Sequence, residues 1–392
     1  MSITELIQQK KRIQESLLEF LEDESNVEEN YENFVQIIND QKILEDKYEF
    51  KFLIQMINKI SDNHQRIFNF IEKIERVLIF LKSDLNKYFT NSEKFELFKG
   101  NKRILLFLLE EKIVTIDETI FLRLTSNENI RRRYIEYFGP EIKEILTNEF
   151  IATFFKKHEE PGKEEILKRI PKEFGEEFYT KRKIGENDNI LCELIRQKKT
   201  KDFIVYVNLH NIPLNSYVEE SIFETNSFLI FNENSNSKAI KKVTLIEYAA
   251  FFESNEIIKY MRMNEVKLTA SMWYYAVHSK NAELIKDLED SHDLPPDLNY
   301  EQFLYESIKC HHNDVAKYII YNLIDEEDLK NNIENRCYIN IYEYCFRYFN
   351  FCFFQKILKT RYLFYLICEN GLYTLVKLYL EQEHIDINAT NI

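Results

Sequence analysis

Apolar residues recur at helical spacing along most of this chain, and the pattern changes character partway through. Near the start, Ile13, Leu17 and Leu21 share one face and predict a helix over residues 1–24. Phe52, Leu53, Met56, Ile57 and Ile60 predict more helix within 31–60. Ser61-Asp62 then reads as a cap for an amphipathic helix carrying Ile67, Phe70, Ile71, Ile74, Leu78 and Leu81. From residue 93 the predicted helices shorten and pair. NKRILLFLLEE (101–111) reads as one, Asp117 caps a second through Leu124, and Ile130, Tyr134, Ile135 and Phe138 form a third that Gly139-Pro140 ends.

Further along, the pattern repeats. Residues 244–261 read TLIEYAAFFESNEIIKYM, and a related segment, SMWYYAV, starts at Ser271. Small residues mark the first helix of each unit: Ala249-Ala250, Ala276-Val277, Ser307-Ile308 and Cys345-Phe346. An aliphatic or aromatic pair marks the second: Ile257-Ile258, Leu284-Ile285, Val315-Ala316, Phe353-Phe354 and Leu375-Val376. These pairs lie 27, 31, 38 and 22 residues apart, which implies loops of varied length. An earlier unit is formed by ILCELI (190–195), a turn at Lys198 to Lys201, and FIVYV (203–207). A single helix pair buries too little surface to stand alone, so such units must stack. Over 340–358, Tyr342, Tyr344, Phe346 and Tyr348 alternate as a strand would; the repeat alignment predicts two helices there instead.

The resulting expectation is an all-α fold, a helix-turn-helix repeat solenoid behind an N-terminal helical region. The expected divisions are 1–92 (N-terminal helices), 93–155 (short helix pairs that read as degenerate repeats), 156–189 (a charged linker) and 190–392 (the repeat series). The linker holds Pro161, Gly162, Pro171, Gly175 and Gly185 among dense charges, and Asn232 to Ser237 reads as a loop inserted between repeats. Only 6 Gly and 6 Pro in 392 residues favour helices over a turn-rich β fold, against the pull of 31 Phe and 24 Tyr towards strands.

The repeat resembles the ankyrin repeat. Thr244, Ile246, Ala249, Ala250, Ile257, Ile258 and Met261 match its pattern, as do Cys368 to Gly371, Leu375 to Leu378 and Asp386 to Asn388. Leu245 and Glu247 stand where the ankyrin pattern has Pro and His. Its turn glycine is replaced by Glu253, Lys280, His311 and Phe349 and kept only at Gly371. Non-glycine residues in a left-handed turn cost about 1 kcal/mol each, so these repeats are individually weak or use altered turns. A narrower resemblance is to a large protist family of ankyrin-type proteins. It is carried by GENDNILCELIR (185–196), SIFETNSFL (221–229), LIEYAA (245–250), Met272-Trp273 and SIKCHHN (307–313). It covers most of 95–322 and the last thirty or so residues. In that family a helical region of unknown function precedes regular ankyrin repeats, so the resemblance implies an architecture and a binding role.

In ankyrin-like stacks the two residues after the small pair face a concave groove. Carried over, these are Phe251 and Phe252, His278 and Ser279, Lys309 and Cys310, Arg347 and Tyr348, and Glu369 and Asn370. Aromatics beside Arg and Lys suit a protein-binding face. The competing reading of Phe251 and Phe252 is that they pack beneath the loop after Phe231.

Net charge is −14, which argues against a general nucleic-acid or anionic-membrane binder. The basic runs Arg131 to Arg133 and Lys181 to Lys183 are flanked by acids and read as solvated faces. The start, MSITELIQQKKR, has no signal-peptide core, and the apolar run from Ile104 to Leu109 is too short to span a bilayer. The expected address is cytoplasmic or nuclear, with Cys192, Cys310, Cys337, Cys345, Cys352 and Cys368 reduced. Cys310-His311-His312 has no second ligand pair nearby and reads as a polar helix end, so neither metal nor cofactor is expected. Hydrolase, kinase and phosphate-loop signatures are absent, and acidic pairs such as Asp23-Glu24 and Glu326-Glu327 read as caps or loops. The expectation is therefore a non-enzymatic scaffold that holds an unidentified protein in its groove. The alternatives are end-to-end self-association through the last repeat, or an adaptor whose residues 1–155 dock other machinery.

Overall fold

The protein is described from a computed structural model over residues 2–64, 69–125, 132–146, 163–230, 242–292, 294–295, 298–324, 337–354 and 361–382. Among these residues it is all-helical, with 24 α-helices and no strands. One isolated antiparallel bridge joins Tyr217 and Thr244. No helix among the described residues is long and apolar enough to cross a membrane.

The first helices are α1 (Ile3–Glu22), α2 (Val27–Asp40), α3 (Lys47–Asn63) and α4 (Phe70–Phe80). Then come α5 (Lys82–Tyr88), α6 (Asn91–Phe98), α7 (Lys102–Glu110), α8 (Glu118–Thr125), α9 (Arg132–Tyr137) and α10 (Gly139–Leu146). The middle of the chain supplies α11 (Lys163–Arg169), α12 (Glu176–Ile184), α13 (Ile190–Arg196), α14 (Thr200–Leu209), α15 (Ser227–Ile230), α16 (Leu245–Phe251) and α17 (Asn255–Met263). The last are α18 (Met272–His278), α19 (Ala282–Glu289), α20 (Glu301–Lys309), α21 (Asn313–Asn322), α22 (Cys337–Arg347), α23 (Arg361–Glu369) and α24 (Tyr373–Gln382).

Local chemistry sets many of these boundaries. Ser2 and Glu5 form a capping box at α1, as do Thr90 and Glu93 at α6. Asp117 accepts the Ile120 N–H at 2.9 Å and starts α8, as its position predicts. Gly139-Pro140 ends α9 but also opens α10, because proline fits the first helical turn, where its absent N–H has no partner to lose. Ser61-Asp62 does not start a helix. Both residues lie within α3, and the Ser61 hydroxyl donates back to the Asn58 carbonyl at 2.8 Å. The strand-like alternation near 342 resolves as the helix α22, but Phe353 and Phe354, expected on a partner helix, lie in a turn, and residues 355–360 lie outside the described residues. Ile67, Ile130, Arg131, Asn232 to Ser237, Glu326-Glu327, Pro161-Gly162, Asp386 to Asn388 and the side chains of Arg132 and Arg133 lie outside the described residues.

Two compact units divide the chain. One is Met1–Val77 with Lys267–Ile392; the other is Leu78–Val266. In the first unit α18, α20, α22 and α23 pack in succession, α19, α21 and α24 pair with α18, α20 and α23, and α1 and α3 pack on α24. Its core includes Ile13, Leu17, Phe20 and Leu21 of α1 with Leu53, Met56, Ile57 and Ile60 of α3. It also holds Trp273, Ala276, Leu304, Ser307, Cys345 and Phe346 from the first helices of the repeats. Each large apolar side chain buried this way contributes about 1.5–3 kcal/mol.

The second unit contains two further stacked pairs, α13 with α14 and α16 with α17; α13 also packs on α16 and α14 on α17. The described part of the charged 156–189 stretch carries two helices, α11 and α12, joined by irregular backbone. Arg182 of α12 is buried, paired with Glu141 at 2.7 Å, and its carbonyl accepts the Tyr137 hydroxyl at 2.9 Å.

Candidate functional site

Within each unit, successive first helices of the pairs end in one common way. The residue after the last turn is left-handed: Lys198 (φ 53°), Glu253 (54°), Lys280 (53°), His311 (62°), Phe349 (57°) and Gly371 (67°). The backbone N–H of Glu253 donates to the Ala250 carbonyl at 3.2 Å, and that of Ser254 to Ala249 at 2.9 Å. The same two bonds recur from Lys280 and Asn281 to Val277 and Ala276, from His311 and His312 to Ile308 and Ser307, and from Phe349 and Asn350 to Phe346 and Cys345. Gly371 and Leu372 repeat them with Cys368 and Ile367. This is the Schellman closure, which satisfies carbonyls that a helix end leaves without partners. The residues that replace glycine use their side chains. Phe349 is buried 5.6 Å from Phe52, Lys280 pairs with Glu22 at 3.2 Å, and Glu253 pairs with Lys198 at 3.2 Å. Such contacts offset part of the left-handed cost.

These turns place the ten candidate groove residues unequally. Phe251, His278, Ser279 and Cys310 are buried. Phe251 stacks on Phe228 of α15, with ring centroids 5.9 Å apart and planes at 18°, and meets Phe252 edge-on. Phe251 is therefore a packing residue with Phe228 of α15 against it; the loop after Phe231, expected as its cover, lies outside the described residues. Phe252 is half-buried, tilted over Tyr248 at 4.8 Å and 6.0 Å from the Arg196 guanidinium. The Ser279 hydroxyl donates to the Tyr275 carbonyl at 3.0 Å.

The other five candidates lie at the ends of the stacked helices α20, α22 and α23. Arg347 and Glu369 are exposed, while Lys309, Tyr348 and Asn370 are half-buried. Two neighbours outside the ten candidates complete this row. Tyr305 stacks on Tyr344 at 4.4 Å and 9°, and Tyr344 stacks on Tyr348 at 5.9 Å. Cations flank the row: Arg347 lies over Tyr344 at 5.8 Å, while Lys309 and Lys59 lie 6.0 and 5.7 Å from the Tyr348 ring. The alternating tyrosines around 344 are the sequence signal for this row.

Beside this row lies a buried polar cluster. His64, His278, His311 and His312, half of the chain's 8 histidines, are all buried. The His64 ring is fixed through Nδ1 to the Cys310 carbonyl at 2.7 Å, with Nε2 3.3 Å from Glu22. His312 Nδ1 lies 2.8 Å from the Val277 carbonyl. Burial and the nearby His64 charge push the His311 imidazole down to about 3 and hold His312 well below the usual histidine range.

Next to it, His278, Glu306 and Cys310 bring their donor atoms within 4.8 Å of one another. The Cys310 thiol lies 3.6 Å from Glu306 Oε1, His278 Nε2 lies 3.9 Å from it, and Lys309 Nζ 3.5 Å. Burial and the Glu306 carboxylate hold the Cys310 thiol well above its usual range. His311 and His312, the neighbours that made Cys310 conspicuous in the sequence, are not in this trio; it is completed from α18.

In the second unit, the segments 185–196 and 221–229 are knitted together by hydrogen bonds. Thr225 Oγ1 donates to the Gly185 carbonyl at 2.7 Å, the Asn187 N–H to Glu224 at 3.2 Å and Ser221 Oγ to Asp188 at 2.7 Å. They line a small pocket with Val218, Leu229 and Tyr248. Arg196 reaches the Tyr248 hydroxyl at 2.8 Å and pairs with Glu186 at 2.6 Å. Comparison with known proteins finds no match to the chain among family models, curated proteins or solved structures.

Proposed function

We propose that the chain is a non-catalytic protein-interaction scaffold, built as a degenerate ankyrin-like solenoid, that holds a partner protein along the ends of its stacked helices. The observation that carries this reading is the recurrence of one left-handed closure at Lys280, His311, Phe349 and Gly371, spaced as the sequence repeat is spaced. A stack of like units displays equivalent positions in a row, and such rows are the usual binding faces of repeat proteins. Here the row is Lys309, Arg347, Tyr348, Glu369 and Asn370, backed by Tyr305 and Tyr344. Tyrosine and arginine are the residues most often found at the energetic centre of protein interfaces.

The test is a photo-crosslinking amino acid placed at Arg347 or Glu369 in the native cell, with Tyr321 on α21, which is 75% exposed, as the control position. The reading expects one discrete adduct with another protein from both positions and none from Tyr321. Adducts with a second copy of this chain alone would replace the scaffold with a self-assembling unit.

A further inference from the structure

We propose that His278, Glu306 and Cys310 form a binding site for a divalent cation of the zinc class. An imidazole, a carboxylate and a thiol together form a donor set that selects borderline-soft transition metals over magnesium or calcium. Spacing supports the assignment. Zinc bound at about 2.0–2.3 Å in a tetrahedron holds its ligand atoms roughly 3.3–3.8 Å apart. The thiol and the imidazole nitrogen stand 3.6 and 3.9 Å from Glu306 Oε1, and all three donors lie within 4.8 Å of one another. Small side-chain rotations close the remaining gap.

The scaffold holds these groups in place. Glu306 and Cys310 lie one helical turn apart, at the end of α20 and its cap, and His278 is the last residue of α18, which packs on α20. All three are buried, and the Cys310 carbonyl is tied to His64 at 2.7 Å. Three protein donors leave a fourth position for another ligand, as at open zinc sites.

Charge also balances. Coordination releases the thiol proton to solvent, so a doubly positive ion meets one thiolate and one carboxylate and the buried site is neutral. Lys309 now supplies the positive charge beside Glu306, at 3.5 Å. Its side chain is 15% exposed, and on metal binding its ammonium group swings outward on its flexible stem.

Cobalt(II) is the spectroscopic probe, titrated into the full chain under reducing conditions. The site predicts saturation at about one equivalent, with intense tetrahedral ligand-field absorption and a thiolate charge-transfer band, both abolished by zinc. Cys310→Ser should remove the charge-transfer band, and Glu306→Gln should weaken binding by roughly tenfold or more. Lys309→Met removes the competing cation at a half-buried position and should tighten cobalt binding severalfold. Failure of the native chain to saturate overturns the proposal. So does a charge-transfer band that survives Cys310→Ser, or an affinity that Lys309→Met leaves unchanged or weakens. Lys309→Met keeps all three donors, so its result stands whether or not Cys310→Ser folds.

Discussion

Gln14 and Asn350, 336 residues apart in the sequence, meet through their buried side-chain amides. Gln14 Nε2 donates to Asn350 Oδ1 at 3.2 Å, and Gln14 Oε1 accepts the Phe351 N–H at 2.6 Å. Asn350 spends its own amide protons on the Ile308 carbonyl at 2.9 Å and on Asn313 Oδ1 at 2.8 Å. Helix α1 thus completes the hydrogen bonding of a repeat turn, within the compact unit that joins Met1–Val77 to Lys267–Ile392. Gln14→Ala leaves the Phe351 N–H buried without its partner and should cost about 2 kcal/mol in chemical denaturation. Gln14→Glu should cost at least as much, because it sets a carboxylate oxygen against Asn350 Oδ1. A loss within error for both would mean that α1 is not integral to this unit.

The left-handed turns allow a second measurement. A Cβ added at Gly371 meets nothing within 4 Å, so Gly371→Ala probes backbone conformation alone. With φ at 67° it should destabilise by about 1 kcal/mol. Glu253→Gly should do the reverse and stabilise by about 0.5–1 kcal/mol, since the exposed Lys198 ion pair it removes contributes little. If Glu253→Gly destabilises, that ion pair is worth more than the backbone strain.

These turns were the most legible part of the fold. Glu253, Lys280, His311, Phe349 and Gly371 could be located from the small-residue pairs before them, because a tight helix turn needs close backbone approach on one side and a fixed offset to the next cap. In the repeat pattern Glu247 is only a departure from the ankyrin histidine. It closes a capping box, accepting the Thr244 N–H at 2.9 Å, a local pattern that the repeat comparison overshadowed. What could not be read was long-range. Nothing near Gln14, Glu22 or Phe52 announces Asn350, Lys280 or Phe349, since an amphipathic helix records that one face is covered and not by what. The proximity of His278 to Cys310 is hidden in the sequence for the same reason, as the two belong to different helices.

The aromatic pair at 251–252 separates packing from recognition. Phe251 is 4% exposed and stacked on Phe228, so Phe251→Ala should cost about 3–5 kcal/mol. Half-buried Phe252 should cost about 1 kcal/mol or less when truncated. Measured by urea denaturation, equal and small losses would show that Phe251 does not carry the core contact with α15.

Acid stability tests the charged contact between α1, α3 and α18. Burial alone would raise the Glu22 carboxyl, but the hydrogen bond and charge of His64, with Lys280 beside them, bring it down to about 2 from 4.5. Between those two values the unfolded chain binds a proton that the folded chain does not. Stability from this group is therefore fully present above about pH 4.5 and is lost as pH falls through about 2. Solvent reaches Glu22, whose side chain is 36% exposed, so the slope should be modest. Glu22→Gln should flatten that part of the curve of unfolding free energy against pH, while lowering stability at neutral pH. An unchanged acid slope in Glu22→Gln would assign the acid response to other carboxylates.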